Sequence, residues 1–99
     1  MAFTEEQIQK VWEKGTIVPN YDKNTWRKDK CDAWIKRNEY GNRDSIYGWE
    51  IDHITPKANG GGDELSNLRP LQWENNLRTS DGRLKCKIVS DGNKNIEKK

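Results

Sequence analysis

Apolar side chains recur at helical spacing near the start of the chain, at Ile8, Val11 and Trp12. Thr4 and Gln7 stand just before this run with the spacing of a capping box, in which each residue satisfies a backbone N–H that the helix leaves unpaired. Gly15 ends the run. The pattern predicts one amphipathic helix over about residues 5 to 14, with its apolar face packed on the core.

The central part of the chain alternates as a strand does. Trp49, Ile51 and His53 fall on one face of a strand that Pro56 ends, because proline has no N–H for the ladder. A flexible loop over residues 59–62 follows, then a short strand over 68–71 and a helix over 72–77. Trp73 and Leu77, one turn apart, are expected to face inward on that helix.

The remaining segments carry weaker patterns. Residues 26–40 hold a few apolar side chains between basic ones, and either a hairpin turned at Asp29-Lys30 or a helical turn accommodates them. Residues 84–89 alternate as an amphipathic strand, and residues 91–99 are expected to form a frayed polar tail. Asp63 is expected to cap a short turn before Asn67.

The length of 99 residues allows one domain. We expect an α+β domain over residues 1–90 with its core at 48–80. Charged residues make up 34% of the sequence, which excludes a membrane span. The start of the sequence has no secretory pattern, so the cytoplasm of a bacterial or phage-infected cell is the predicted location. Cys31 and Cys86 form no CxxC pair, so no structural zinc is expected. They are interpreted as buried free thiols; a disulfide between them stays open at the level of sequence, but a reducing compartment argues against it.

The net charge of +2 does not by itself indicate a polyanionic partner, but the basic residues are unevenly distributed. They bracket the central stretch on both sides: Arg27, Lys28, Lys30, Lys36 and Arg37 before it, and Arg69, Arg78, Arg83, Lys85 and Lys87 after its first strand.

His53 is the only histidine, and it follows Asp52 directly. An imidazole with a pKa near neutrality is a useful general base. Asp52 offers an anionic oxygen and Asn76 a carbonyl oxygen, a donor pair that suits Mg²⁺ or Mn²⁺ better than zinc. Consecutive strand residues point to opposite faces, so a site shared by Asp52 and His53 requires a strand end or a distorted backbone.

The segment WEIDHITPKANGGGDELSNLRPLQWENN, from Trp49 to Asn76, resembles the core of the HNH endonuclease family. The resemblance implies a ββα-metal fold in an H-N-N version and metal-dependent cleavage of DNA. It implies that His53 is the general base, that Asn67 orients the histidine and the loop, and that Asp52 and Asn76 hold one divalent metal, Mg²⁺ or else Mn²⁺.

Several alternatives stay open at the level of sequence. Asn75 is the fallback for Asn76 as the ligand, and Glu74 is a third candidate. Double-stranded DNA is the expected partner, with the phosphate contacts assigned to Arg78, Lys57 and Arg69. A homodimer or an accessory protein partner is also compatible with the sequence. The main rival function is a non-catalytic nucleic-acid-binding module, or an accessory subunit of a DNA-processing complex, with an HNH-like fold.

Overall fold

The structure of the chain, a computed structural model, describes residues 3–79 and 82–99 and begins with a capped helix, α1 (Glu5–Trp12). The predicted capping box is confirmed: Gln7 N donates to Thr4 Oγ1 at 3.1 Å, and Thr4 N donates to Gln7 Oε1 at 2.9 Å. The helix ends two residues before the predicted limit. Its buried face consists of Ile8, Val11 and Trp12, as expected.

In the part of the chain that the structure describes, three antiparallel two-stranded sheets follow α1, and the α+β fold class is confirmed. Of residues 26–40, the part from Trp26 to Lys36 forms a hairpin, and a short 3₁₀ turn follows at Arg37–Glu39. The strands and the second helix are β1 (Trp26–Lys28) paired with β2 (Trp34–Lys36), β3 (Trp49–His53) paired with β4 (Leu68–Gln72), α2 (Trp73–Arg78), and β5 (Ile88–Asp91) paired with β6 (Lys94–Glu97).

The core lies where α1 packs on the β3–β4 sheet. Trp12 and Trp49 are fully buried, with their ring centroids 5.3 Å apart. Ile35 from β2 and Leu68 from β4 complete the same cluster. Because His53 is the last residue of β3 and lies opposite Leu68 in β4, this apolar cluster supports the strand end that carries the histidine.

A buried polar network fastens α2 to the rest of the domain. Asn75 is fully buried, and its amide joins the segment before β5 to the carboxylate of Asp29. Asp29 also accepts hydrogen bonds from three backbone N–H groups. Burial raises the pKa of Asp29, even though these N–H groups and the Asn75 amide favour its charged form. The prediction for Leu77 was wrong: its side chain is 56% exposed, and Asn75 takes the inward position.

The C-terminal part of the chain differs from its prediction. The prediction of a frayed tail over residues 91–99 was wrong, because Lys94–Glu97 form β6 and pair with β5. The strand expected at 84–89 lies instead at Ile88–Asp91. Asn95 secures this hairpin, since its amide accepts from Trp34 N at 2.7 Å and donates to Trp34 O at 2.8 Å.

Cys31 and Cys86 form a disulfide, so the interpretation as free thiols was wrong. It joins the loop after β1 to the segment before β5. A disulfide weighs against the predicted cytoplasmic location, since reducing compartments keep most thiols unpaired. Across the two described ranges, no helix has the length and apolar character needed to cross a bilayer. The predicted core limit at residue 80 lies outside the described residues.

Candidate functional site

A polar cavity of about 340 Å³ opens at the end of β3, beside α2. Its wall includes Asp52, His53 and Asn76, three of the four residues that the sequence assigned to catalysis and metal binding, together with Lys57; the fourth, Asn67, does not line it. Asp52 and His53 line this cavity although they are consecutive. Of the two explanations offered for this, the structure supports the strand end, because β3 stops at His53.

His53 is positioned by the carboxylate of Asp63, ten residues further along the chain. The distance from His53 Nε2 to Asp63 Oδ1 is 2.7 Å, and this hydrogen bond lowers the pKa of the Asp63 carboxyl. An ionised carboxylate only accepts hydrogen bonds, so Nε2 must carry the proton in this pair. Nδ1 is then the unprotonated nitrogen of neutral His53. The ring of Phe3, 6.1 Å away between centroids, packs beside the imidazole.

Asp63 therefore has a different position from the one expected. The short 3₁₀ turn at Leu65–Asn67 is capped by Glu64 with no side-chain hydrogen bond, so the turn-capping role predicted for Asp63 was wrong. No sequence periodicity links Asp63 to His53. The available signal was an acidic residue directly after the glycine-rich loop, which allows the chain to turn back toward the strand end.

Asn67 holds the loop that carries Asp63. Its Oδ1 accepts from Thr55 N at 2.8 Å, and its Nδ2 donates to Thr55 O at 3.1 Å and to Gly62 O at 2.8 Å. These bonds join the two ends of the loop. Within the described residues Asn67 makes no hydrogen bond to His53, and it acts on the histidine through the loop and Asp63.

Asp52 is buried and fixed by Arg69, which lies opposite it in the β3–β4 register. Arg69 Nε donates to Asp52 Oδ2 at 2.7 Å, and Arg69 Nη2 donates to Gly82 O at 3.1 Å. The Arg69 side chain is only 11% exposed. It was expected to contact phosphate at the site, but its guanidinium is committed to Asp52 and does not line the polar cavity.

Asn76 is oriented by Glu50. Its Nδ2 donates to Glu50 Oε1 at 2.9 Å, and a carboxylate cannot donate in return, so the Asn76 carbonyl oxygen must point away from Glu50. Arg43 holds the same carboxylate through two bonds of 2.7 and 3.0 Å. Burial alone would raise the pKa of Glu50, but the hydrogen bonds from Arg43 and Asn76 lower it overall.

The structure separates the three candidates for the helix ligand. Asn75, the fallback, is fully buried and uses its amide in the network with Asp29. Glu74 forms an ion pair with Lys87 at 3.2 Å and does not line the cavity. Only Asn76 reaches the cavity wall. Arg78, the best sequence candidate for a phosphate contact, is exposed at the end of α2, outside the residues that line the cavity.

The donor atoms around the cavity fit one hard divalent ion. Asp52 is held through Oδ2 and Asn76 through Nδ2, and within the described ranges no hydrogen bond engages Asp52 Oδ1 or Asn76 Oδ1. Two such oxygens suit Mg²⁺ or Mn²⁺ with the remaining positions filled by water or substrate. The described residues contain no cluster of three acidic, histidine or cysteine ligands, so any ion bound here would rely on few protein ligands.

Comparison with known proteins agrees with this geometry. Residues 36–81 match the family model described as HNH endonuclease. No curated protein and no solved structure matches the chain significantly. The matched segment contains β3, the loop, β4 and α2, and therefore every residue named above that lines the cavity or positions its side chains, except Phe3 and Gly82. Residues 36–81 are thus similar to the HNH endonuclease family.

Proposed function

We propose that this protein is a metal-dependent endonuclease that hydrolyses phosphodiester bonds in double-stranded DNA, with β3, β4 and α2 as a ββα-metal core. The family match supports nuclease activity in general. The observation that carries the specific proposal is the meeting of Asp52, His53 and Asn76 in one polar cavity. A base and two oxygen donors at one site are what hydrolysis of a phosphodiester requires.

His53 is the general base in this proposal. Asp63 holds Nε2 and keeps the proton there, so Nδ1 faces the reaction as the acceptor for a proton from water. Fixing the ring in one orientation removes a rotational freedom that would otherwise have to be lost in the transition state. Asp63 and Asn67 act as positioning residues, the first on the ring and the second on the loop.

Asp52 Oδ1 and Asn76 Oδ1 are the proposed ligands of one Mg²⁺ or Mn²⁺ ion. When bound, a divalent ion supplies positive charge beside the phosphate and the leaving 3′-oxygen. The chain's own contribution is to aim both oxygens: Arg69 fixes the Asp52 carboxylate, and Glu50 fixes the Asn76 amide. The Arg69 charge also reduces the negative potential at Asp52, so weak metal binding is expected.

Cleavage of supercoiled plasmid tests the proposal. His53→Ala should lower the Mg²⁺-dependent rate by about 100-fold or more, the usual cost of losing a general base, while circular dichroism stays native. Asn76→Ala should raise the metal concentration needed for half-maximal activity, and Asn93→Ala in the distant β5–β6 turn is the matched control. Undiminished cutting by His53→Ala would exclude it as the base.

One observation favours the rival function, a nucleic-acid-binding module without catalysis. The ion pair between Arg69 and Asp52 already neutralises the one carboxylate that lines the cavity among the residues that the structure describes. In that case the ion pair replaces the metal, and the protein binds DNA without cutting it. DNA binding with no cleavage under Mg²⁺, Mn²⁺ or EDTA would establish the rival and overturn the proposed hydrolysis.

A further inference from the structure

A second concave surface lies on the other side of Arg69 from the polar cavity. This basic cleft encloses about 150 Å³, roughly five times the volume that one water molecule occupies in the liquid, and it has room for a tetrahedral anion. Four separate segments build it: the residues after α1, the end of β1 with its turn, Ile54 after β3, and β4. Its lining includes four cationic residues, Lys14, Lys28, Lys30 and Arg69.

Arg69 is paired with Asp52, but the acidic groups near the basic cleft leave much of the charge of its three lysines uncompensated. Among the described residues, Asp29 is the one acidic residue of the lining, and its carboxylate is buried and bonded into the fold. Asp32 lies 3.5 Å from Lys28 Nζ but is 70% exposed, and exposed ion pairs of this kind are weak. The exposed Lys30 makes no ion pair within the described residues.

The cations of the basic cleft also act on one another. Burial lowers the pKa of Lys14, and the positive charges of Lys30 and Arg69 lower it further. Lys14 Nζ compensates in part by donating to the backbone carbonyl groups of Leu65, at 2.6 Å, and Leu68. A bound anion would relieve the repulsion among these side chains.

The basic cleft is continuous with the candidate catalytic site. Arg69 lines the cleft and donates to Asp52, which lines the polar cavity. Ile54 lines the cleft and directly follows His53. A strand of DNA crossing the end of β3 would therefore meet the cavity and the cleft in succession, and its phosphates repeat at about 3.4 Å of axial rise per nucleotide.

We propose that the basic cleft binds a backbone phosphate of the DNA strand, flanking the phosphodiester held at the polar cavity. This inference rests on the proposed function for its substrate. Lys14 and Lys30 provide the exposed charges, Lys28 is half-buried, and Arg69 lies at the buried floor. The contact is to phosphate and is independent of base sequence, so it sets the path of the strand and its salt dependence.

Fluorescence anisotropy of a labelled DNA duplex, measured in EDTA so that no cutting occurs, tests this cleft. Lys28→Ala/Lys30→Ala should bind about five- to tenfold more weakly near 0.1 M salt, and the slope of log affinity against log salt should fall by about 1. Lys94→Ala/Lys98→Ala removes the same charge from the exposed β5–β6 region. This control should change neither the affinity nor the salt slope by more than about twofold. Lys30→Arg should bind as the wild type does.

The outcomes separate this inference from the proposed function. A cleft variant with wild-type affinity and slope overturns the phosphate contact, even if the wild type cuts DNA. Loss of binding in the cleft variant supports it, even if no metal allows cutting. A third outcome is that the wild type binds inorganic phosphate saturably and only the cleft variant loses this binding, while DNA binding is unchanged. That outcome would assign the cleft to a free anion and also overturn the proposed contact with a DNA phosphate. If the double variant loses its circular dichroism signal, Lys30→Ala alone decides, since that side chain is exposed.

Discussion

Replacement of Asn75 by alanine should strongly lower the free energy of unfolding, because this buried side chain connects three segments of the chain by hydrogen bonds. Its Nδ2 donates to Ile88 O at 3.0 Å and to Asp29 Oδ2 at 3.2 Å, and its Oδ1 accepts from Lys87 N at 2.9 Å and Ile88 N at 2.8 Å. At about 1 kcal/mol for each bond, the variant loses about 4 kcal/mol. A domain of this size has only about 5 to 15 kcal/mol in total.

Urea unfolding followed by tryptophan fluorescence measures the loss, and thermal unfolding should shift down by about 15 °C or more. The matched variant is Asn76→Ala, one residue further along α2, where the amide contacts only Glu50 within the described residues. It should unfold within about 1 kcal/mol of the wild type but need more metal for cleavage. An Asn75→Ala protein as stable as the wild type, with a raised metal requirement, would refute the reasoning and reverse the ligand assignment.

Three further predictions concern the disulfide, Asp63 and the loop. Cys31→Ser/Cys86→Ser should lower the free energy of unfolding by about 4 kcal/mol, the chain-entropy value for two residues 55 positions apart, and an unchanged urea midpoint would contradict this. The pKa of Asp63 is lowered in the folded state, so its contribution to stability is present above the unfolded pKa and is lost as pH falls through the folded one. The free energy of unfolding of the wild type should therefore exceed that of Asp63→Asn by less and less below about pH 4. If this difference stays constant down to about pH 2, the lowered pKa of Asp63 does not contribute to stability. Gly61→Ala would place a methyl group against the Thr55 carbonyl oxygen, so cleavage should fall several-fold, and a fully active variant would show that the loop is not held there.

The parts of the fold that sequence predicts are those governed by local rules. The cap at Thr4 and the strand β3 depend on neighbours within a few residues, and both appear where expected. The alternation of burial breaks at the end of β3, where Asp52 is buried and His53 is half-buried. The third local expectation, an inward Leu77, failed because the short α2 is anchored by polar bonds at its start. Gln72 accepts from Asn75 N there, and the burial of Asn75 turns Leu77 toward solvent.

The contacts that sequence does not predict join residues far apart in the chain. Cys31 and Cys86 are 55 positions apart, and no spacing rule links them. Asp63 reaches His53 only because Asn67 folds the loop back. The choice between Asn75 and Asn76 as the metal ligand depends on which side of α2 faces the domain. Asp29, which lies much earlier in the sequence, determines this by its hydrogen bond to Asn75.

The network around Asp29 and Asn75 sets a limit on how the HNH-like domain can be used in protein engineering. Residues 36–81 match the family, yet the helix they contain is fastened from outside that stretch, by Asp29 on one side and the start of β5 on the other. A transplant of the matched segment alone would leave a buried amide without partners in a foreign scaffold. Fusion partners should therefore be joined beyond β6, and the smallest unit worth transferring runs from α1 through the last strand.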